Sequence, residues 1–244
     1  MARRSLQYDG RTWDISYEVL NPSAERTVVF LHGWGADKGL MKQAFGATLP
    51  TFRHVYVDLP GFGNSTAPKP LTTEDYAEIM ELFLAQIDAN RKEVIVGHSF
   101  GGKVATLLQP QLLVLIASAG IVWPKPLKVR AKIAAFKLLK GLGLSKFRSL
   151  FVADDAKTLD PVMYETFKTV VDEDLTERFR AFEGRALLCW GDADTATPLR
   201  SAEKIAALIR NSRLAVFDGD HYFFLKHAAA VAREIGHEVT GDAR

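Results

Sequence analysis

"VIVGHSFGGKVA", residues 94–105, runs a string of aliphatic residues into a serine hemmed in by glycines, and the reading of this stretch decides the fold. A short apolar run with no polar alternation predicts a strand buried on both faces, and "FGGKVATLL" after it predicts a helix. Ser99 falls on the turn between them, with Gly97 and Gly101 at the flanking positions of G-x-S-x-G. Glycines there let a strand turn sharply into a helix while the serine hydroxyl stays exposed. The pentapeptide also suits a plain glycine-rich turn, or one that binds an anion at the helix N-terminus. To act as a nucleophile, Ser99 needs a base, an orienting acid and donors for an oxyanion.

Outward from this stretch, further aliphatic runs recur: "TVVFL" (27–31), "HVYVD" (54–58), "LLVLIA" (112–117), "RALLCWG" (185–191) and "RLAVFDG" (213–219). Segments with helical spacing separate most of them, which predicts a mainly parallel sheet flanked by helices, an α/β fold. The clearest helix is "TTEDYAEIMELFLAQID" (72–88), with a threonine cap, early acids and apolar residues at Tyr76, Ile79, Met80, Phe83, Leu84 and Ile87. "TWDISYEV" (12–19) alternates instead, with Trp13, Ile15, Tyr17 and Val19 on one face, and suits an antiparallel edge. Residues 121–183 interrupt the pattern with Pro124, Pro126 and Pro161, a helical stretch "KVRAKIAAFKLLK" (128–140) and another at "PVMYETFKTVV" (161–171). The expected organisation is a sheet domain in two parts, 1–120 and 184–244, with a helical cap inserted at 121–183.

The 244 residues, 48% hydrophobic and 25% charged, fit one such domain and exclude a disordered or collagen-like chain. The basic N-terminus "MARRSLQYDGRTWD" has no apolar core of a signal peptide, and no stretch approaches the length of a membrane span, so the expectation is a cytoplasmic protein with no membrane span. The lone cysteine, Cys189, lies in "ALLCW" and reads as a buried structural thiol. A net charge of +2 is too small to argue for a nucleic-acid partner. The six histidines show no i, i+4 ligand spacing, and no phosphate or dinucleotide glycine motif is present, so neither a metal nor a cofactor is expected.

Three further motifs stand at predicted strand ends: "HGWG" (32–35), "GDADTATP" (191–198) with Asp192 and Asp194, and "GDHYFF" (219–224) with His221. Each alone is compatible with an ordinary turn. In order they set a turn, a serine, an acid and a histidine at the carboxyl ends of strands, where sites in such sheets gather. With "DLPGFGNS" (58–65), this set resembles the α/β-hydrolase superfamily, specifically its small capped serine esterases and C–C bond hydrolases, over nearly the whole chain.

The resemblance implies the α/β-hydrolase fold, Ser99 as nucleophile and His221 as base. The family pattern G-x-x-D-x-x-x-P falls on Gly191, Asp194 and Pro198, which favours Asp194 over Asp192 as the acid. It implies an oxyanion hole from the backbone N–H groups of Trp34 and Phe100, and a substrate pocket bordered by His32, Gly33, His98, Ile121, Trp123 and Phe147, with His32 also shaping its turn. Two departures stand out: only residues 99–108 are available for the helix after the serine, and Asp220 sits where the family places glycine directly before the histidine. The implied activity is hydrolysis of a carboxylic ester through an acyl-enzyme, on a medium apolar or carrier-linked acyl substrate. C–C bond hydrolysis of a meta-cleavage-type dienoate and a non-catalytic ligand-binding scaffold are the alternatives.

Charge is unevenly spread. No acidic residue occurs between Glu93 and Asp154, while Lys125, Lys128, Arg130, Lys132, Lys137, Lys140, Lys146 and Arg148 crowd the first half of the insertion. The second half is acidic, so the two halves are compatible with mutual neutralisation. An exposed basic face would instead steer an acidic partner. Pimeloyl-acyl carrier protein methyl ester esterases are similar in their "HGWG" turn, serine turn and basic cap, which implies an acidic carrier protein as a partner alongside a small-molecule ester substrate.

Overall fold

The computed structural model describes residues 2–124 and 160–241. Eight strands form one sheet: β1 (Ala2–Tyr8), β2 (Arg11–Leu20), β3 (Arg26–Leu31), β4 (Phe52–Val57), β5 (Val94–His98), β6 (Leu112–Ile116), β7 (Arg185–Gly191) and β8 (Ser212–Phe217). Their order is β1-β2-β4-β3-β5-β6-β7-β8, antiparallel from β1 to β4 and parallel from β4 onward. β5 and β6 are buried at every position, as their unbroken aliphatic runs require of central strands covered on both faces.

β2 belongs to the antiparallel edge of the sheet that its alternation suggests, one strand in from the rim. β1 pairs with it in full register from Ala2↔Tyr17 to Tyr8↔Arg11 and forms the rim itself. The signal for this hairpin is the two-residue turn Asp9-Gly10, whose φ angles of 47° and 65° are those that Asp-Gly adopts between antiparallel strands.

Seven helices are described: α1 (Lys38–Phe45), α2 (Thr73–Gln86), α3 (Phe100–Leu107), α4 (Pro161–Val170), α5 (Thr176–Arg180), α6 (Leu199–Leu208) and α7 (Phe224–Thr240). α2 opens with a capping box in which Thr72 and Asp75 exchange side-chain and backbone bonds, and it buries Tyr76, Ile79, Met80, Phe83 and Leu84. α4 starts with Pro161 in its first turn, and Asp160 caps the N–H groups of Val162 and Met163 at 2.9 and 3.1 Å. The helix expected at 128–140, with its basic residues, lies outside the described residues.

α4 is tied to the core by a lysine. Lys103 on α3 is 2% exposed, and its Nζ donates to the carbonyls of Val170 (2.6 Å) and Glu173 (3.0 Å) at the end of α4. Burial lowers its pKa, and the Glu173 carboxylate opposes that. Cys189 is fully buried in β7, where desolvation raises the thiol pKa and keeps it out of thiolate chemistry.

Because β3 to β8 run parallel, their carboxyl ends lie along one side of the sheet. The pairs Leu31↔Gly97, His98↔Ile116, Ile116↔Cys189 and Gly191↔Phe217 bring the loops after β3, β5, β6, β7 and β8 together there.

Candidate active site

Ser99 sits between β5 and α3 at φ 51° and ψ −113°, a conformation that costs a non-glycine residue about 1–3 kcal/mol. Its N–H donates to Ile116 O at 3.0 Å, and its carbonyl accepts from Gly102 and Ala119 at 3.0 and 3.1 Å. These bonds hold the strain in place. The flanking glycines are needed for contact: a Cβ on Gly97 would lie 2.4 Å from Gly101 O, and one on Gly101 would lie 2.4 Å from Leu31 O. The short α3 therefore presses against both β5 and the end of β3, and no larger side chain fits between.

The turn after β3 is held by His32. Its Nε2 accepts from Leu59 N–H at 3.0 Å, which leaves the proton on Nδ1 to be donated to Gly33 O at 2.8 Å. Burial lowers the pKa of this ring. A Cβ on Gly33 would lie 3.1 Å from Ser99 Cβ, so the turn passes directly against the serine. Among the described residues no hydrogen bond takes up the backbone N–H of Trp34 or of Phe100. The loop behind the turn is fixed by Asp58, fully buried, which pairs with Lys38 Nζ at 2.5 Å and accepts from the N–H groups of Lys38 and Asn64, each at 2.9 Å.

Asp194 and His221 meet across the ends of β7 and β8. His221 Nδ1 lies 2.8 Å from Asp194 Oδ2, and the carboxylate also accepts from Ala196 N (2.8 Å), Thr197 N (2.9 Å) and Thr197 Oγ1 (2.8 Å). Burial alone would raise the Asp194 pKa, but the bonds from His221 and Thr197 outweigh it and lower the value below the ordinary carboxylate range. Asp192 does not reach His221; its Oδ1 accepts from Gly219 N at 3.1 Å and fixes the turn after β8. Asp220 is exposed and caps Tyr222 N at 2.8 Å, so the carboxylate beside the histidine is engaged with its own turn. Among the described residues none of the His221 ring's hydrogen bonds goes to the Ser99 hydroxyl; such bonds are commonly long without substrate.

His98, 1% exposed, carries its weight behind the site. Its Nε2 donates to the His221 carbonyl at 3.2 Å and its ring packs on that of His221 at 4.8 Å, while burial and the neighbouring His221 push its pKa down to about 3. His32 and His98 are both buried, and the bonds of their rings to Leu59, Gly33 and His221 go to protein backbone. Ile121 and Trp123 line a cavity of about 140 Å³ together with Val122, Val171 and Thr197. Trp123 also anchors to α6, with Nε1 2.8 Å from Ser201 Oγ and the Arg200 guanidinium 4.5 Å above its ring. Phe147 lies outside the described residues. Thr197 was not singled out in the sequence, and no spacing marks its hydroxyl as more than a turn residue.

Among the described residues no three His, Cys, Asp or Glu side chains converge to hold a metal, and no helix is long and apolar enough to cross a membrane.

A mostly parallel sheet with a strained serine after β5, an acid after β7 and a histidine after β8 defines the α/β-hydrolase class. The family model described as the alpha/beta hydrolase family matches residues 28–234, and the chain belongs to this family. It is 28% identical over 241 aligned residues to the pimeloyl-[acyl-carrier protein] methyl ester esterase of Neisseria meningitidis (serogroup B, strain H44/76), covering 86% of this chain and 92% of that protein. To the esterase of the same name from Vibrio campbellii it is 43% identical over 79 residues, 32% of this chain and 29% of that one. The fold is shared with an esterase from Exiguobacterium antarcticum, at a TM-score of 0.72 and 23% identity over 93% of this chain and 96% of that structure.

Proposed function

We propose that this chain hydrolyses a carboxylic ester through an acyl-enzyme on Ser99. The observation that carries the proposal is the 2.8 Å bond between His221 Nδ1 and Asp194, formed at the strand ends where the strained Ser99 is presented. With Nδ1 committed to the acid, Nε2 is the nitrogen left to act as base. As Ser99 Oγ attacks the ester carbonyl, His221 takes its proton and Asp194 stabilises the imidazolium. The carbonyl oxygen gains a negative charge, and the backbone N–H groups of Trp34 and Phe100 receive it. Collapse expels the alcohol with the proton from His221. Water then repeats the attack on the acyl group and frees Ser99.

The substrate we propose is an ester of a medium apolar or carrier-linked acyl chain, under a cap formed by the 121–183 insertion. Two supports favour it: the relatives named for an acyl-carrier-protein ester, and the block of basic residues at 125–148, which suits an acidic carrier. The test is hydrolysis of p-nitrophenyl acetate, butyrate and hexanoate beside a dienoate C–C substrate, with wild type and Ser99→Ala. Ester hydrolysis that rises with chain length and disappears in Ser99→Ala is expected. Turnover of the dienoate alone, or ester hydrolysis surviving in Ser99→Ala, overturns the proposal.

A further inference from the structure

Thr197 spends every polar group it has around the acid. Its N–H donates to Asp194 Oδ1 at 2.9 Å, its carbonyl accepts from the fully buried Trp190 Nε1 at 2.7 Å, and its hydroxyl oxygen lies 2.8 Å from Asp194 Oδ2. The same oxygen is 3.0 Å from Ala117 O, at the end of β6, and 3.3 Å from His221 Nδ1.

A carboxylate offers about four lone-pair sites. Ala196 N and Thr197 N occupy Oδ1, and Thr197 Oγ1 and His221 Nδ1 occupy Oδ2, so Thr197 supplies two of the bonds that stop the carboxylate from rotating. The hydroxyl has one proton to place. Two oxygens 2.8 Å apart with no proton between them would repel, which directs the proton to Asp194 rather than to the more distant Ala117 O. The hydroxyl then turns a lone pair toward His221 Nδ1, which faces two acceptor oxygens and no donor. A proton on Nδ1 satisfies both; a lone pair there would face the carboxylate unscreened.

From this geometry we infer that Thr197 is a positioning residue, whose hydroxyl locks the Asp194 carboxylate and holds His221 in the Nδ1-protonated form that leaves Nε2 free as base. The inference rests on the ester-hydrolase reading of Ser99, Asp194 and His221. Thr197→Val is the informative change, because it keeps the branched shape and both backbone bonds and removes only the hydroxyl.

The experiment labels the histidines with ¹⁵N and reads the His221 ring tautomer in wild type, Thr197→Val and Thr197→Ser, with kcat and KM for p-nitrophenyl butyrate measured on the same samples. Thr197→Val is expected to lower kcat by about 10- to 100-fold, the range commanded by one hydrogen bond to a charged group, with KM little changed and the share of the Nδ1–H form reduced, the loosened carboxylate alone still favouring it. Thr197→Ser should restore both. If Thr197→Val does not fold, Thr197→Ala is read in its place. A hydroxyl-free variant with the wild-type tautomer and kcat overturns the inference, as does equal impairment of the valine and serine variants. Ser99→Ala separates the two failures: hydrolysis surviving in it overturns the ester-hydrolase reading, while the tautomer comparison judges Thr197 without any turnover.

Discussion

Asp194 Oδ2 and His221 Nδ1 stand 2.8 Å apart although 27 positions separate them in the chain, with the carboxylate buried and the ring partly open. Of the two acids on the loop after β7, only Asp194 makes this contact; Asp192 spends an oxygen on Gly219 N. Asp194→Asn is therefore expected to lower kcat by about 10⁴-fold, because an amide cannot hold the same imidazole form. Asp192→Asn should stay within a few-fold of wild type. Parallel measurement of kcat/KM on one p-nitrophenyl ester checks this, and a larger loss in Asp192→Asn would reverse the assignment.

Ser99 gives two separable effects. Ser99→Ala should cost about 10⁴ to 10⁶ in turnover with little change in stability, since alanine keeps the strained φ of 51°. Ser99→Gly should be equally inactive but more stable than Ser99→Ala by about 1 kcal/mol, because glycine adopts positive φ freely. Urea denaturation of the two variants reads the difference, and equal midpoints would mean that the strain at Ser99 is not stored energy.

Gly101→Ala and Gly236→Ala are predicted to move stability in opposite directions. A Cβ on Gly101 would lie 2.4 and 2.5 Å from the backbone oxygens of Leu31 and His32, which cannot give way, and the expected cost is about 3 kcal/mol or more. Gly236, inside α7, has nothing within 4 Å of an added Cβ, so alanine there should stabilise by about 0.5–1 kcal/mol. Thermal denaturation of both variants is the check.

The Lys38–Asp58 pair carries a pH signature. Burial would raise the Asp58 pKa, but the Lys38 ammonium and the N–H groups of Asn64 and Lys38 prevail and lower it. A lowered native pKa means that the stability contributed by ionised Asp58 is present above the unfolded carboxylate range, about pH 4, and is lost as the pH falls through the native value. Asp58→Asn leaves the Lys38 charge buried and should cost about 3–5 kcal/mol at pH 7. The gap between variant and wild type should narrow toward pH 3. A gap independent of pH, measured by urea denaturation, would count against the ion pair as its source.

Much of this site was legible in the chain because its signals are local. The unbroken run at 94–98, the glycines around Ser99, the spacing from Gly191 to Asp194 and Pro198, and the cap at Thr72 each express a rule of burial, turn geometry or capping that operates within a few residues. The Asp9-Gly10 turn is just as local, and it carries the edge hairpin that the alternation of β2 leaves unseen.

By itself, then, the sequence determined the α/β alternation, the turn that presents Ser99 and the order of the loops that bear the acid and the histidine. Only the tertiary structure decided that the Thr197 hydroxyl reaches Asp194 and His221, that His98 holds the carbonyl of His221 from 123 positions away, and that Lys103 is buried against the end of α4. Hydrogen-bond partners so far apart are chosen by strand order and register, which bring the ends of β5, β6, β7 and β8 side by side. No periodicity within a segment records which side chains will face each other once those ends meet.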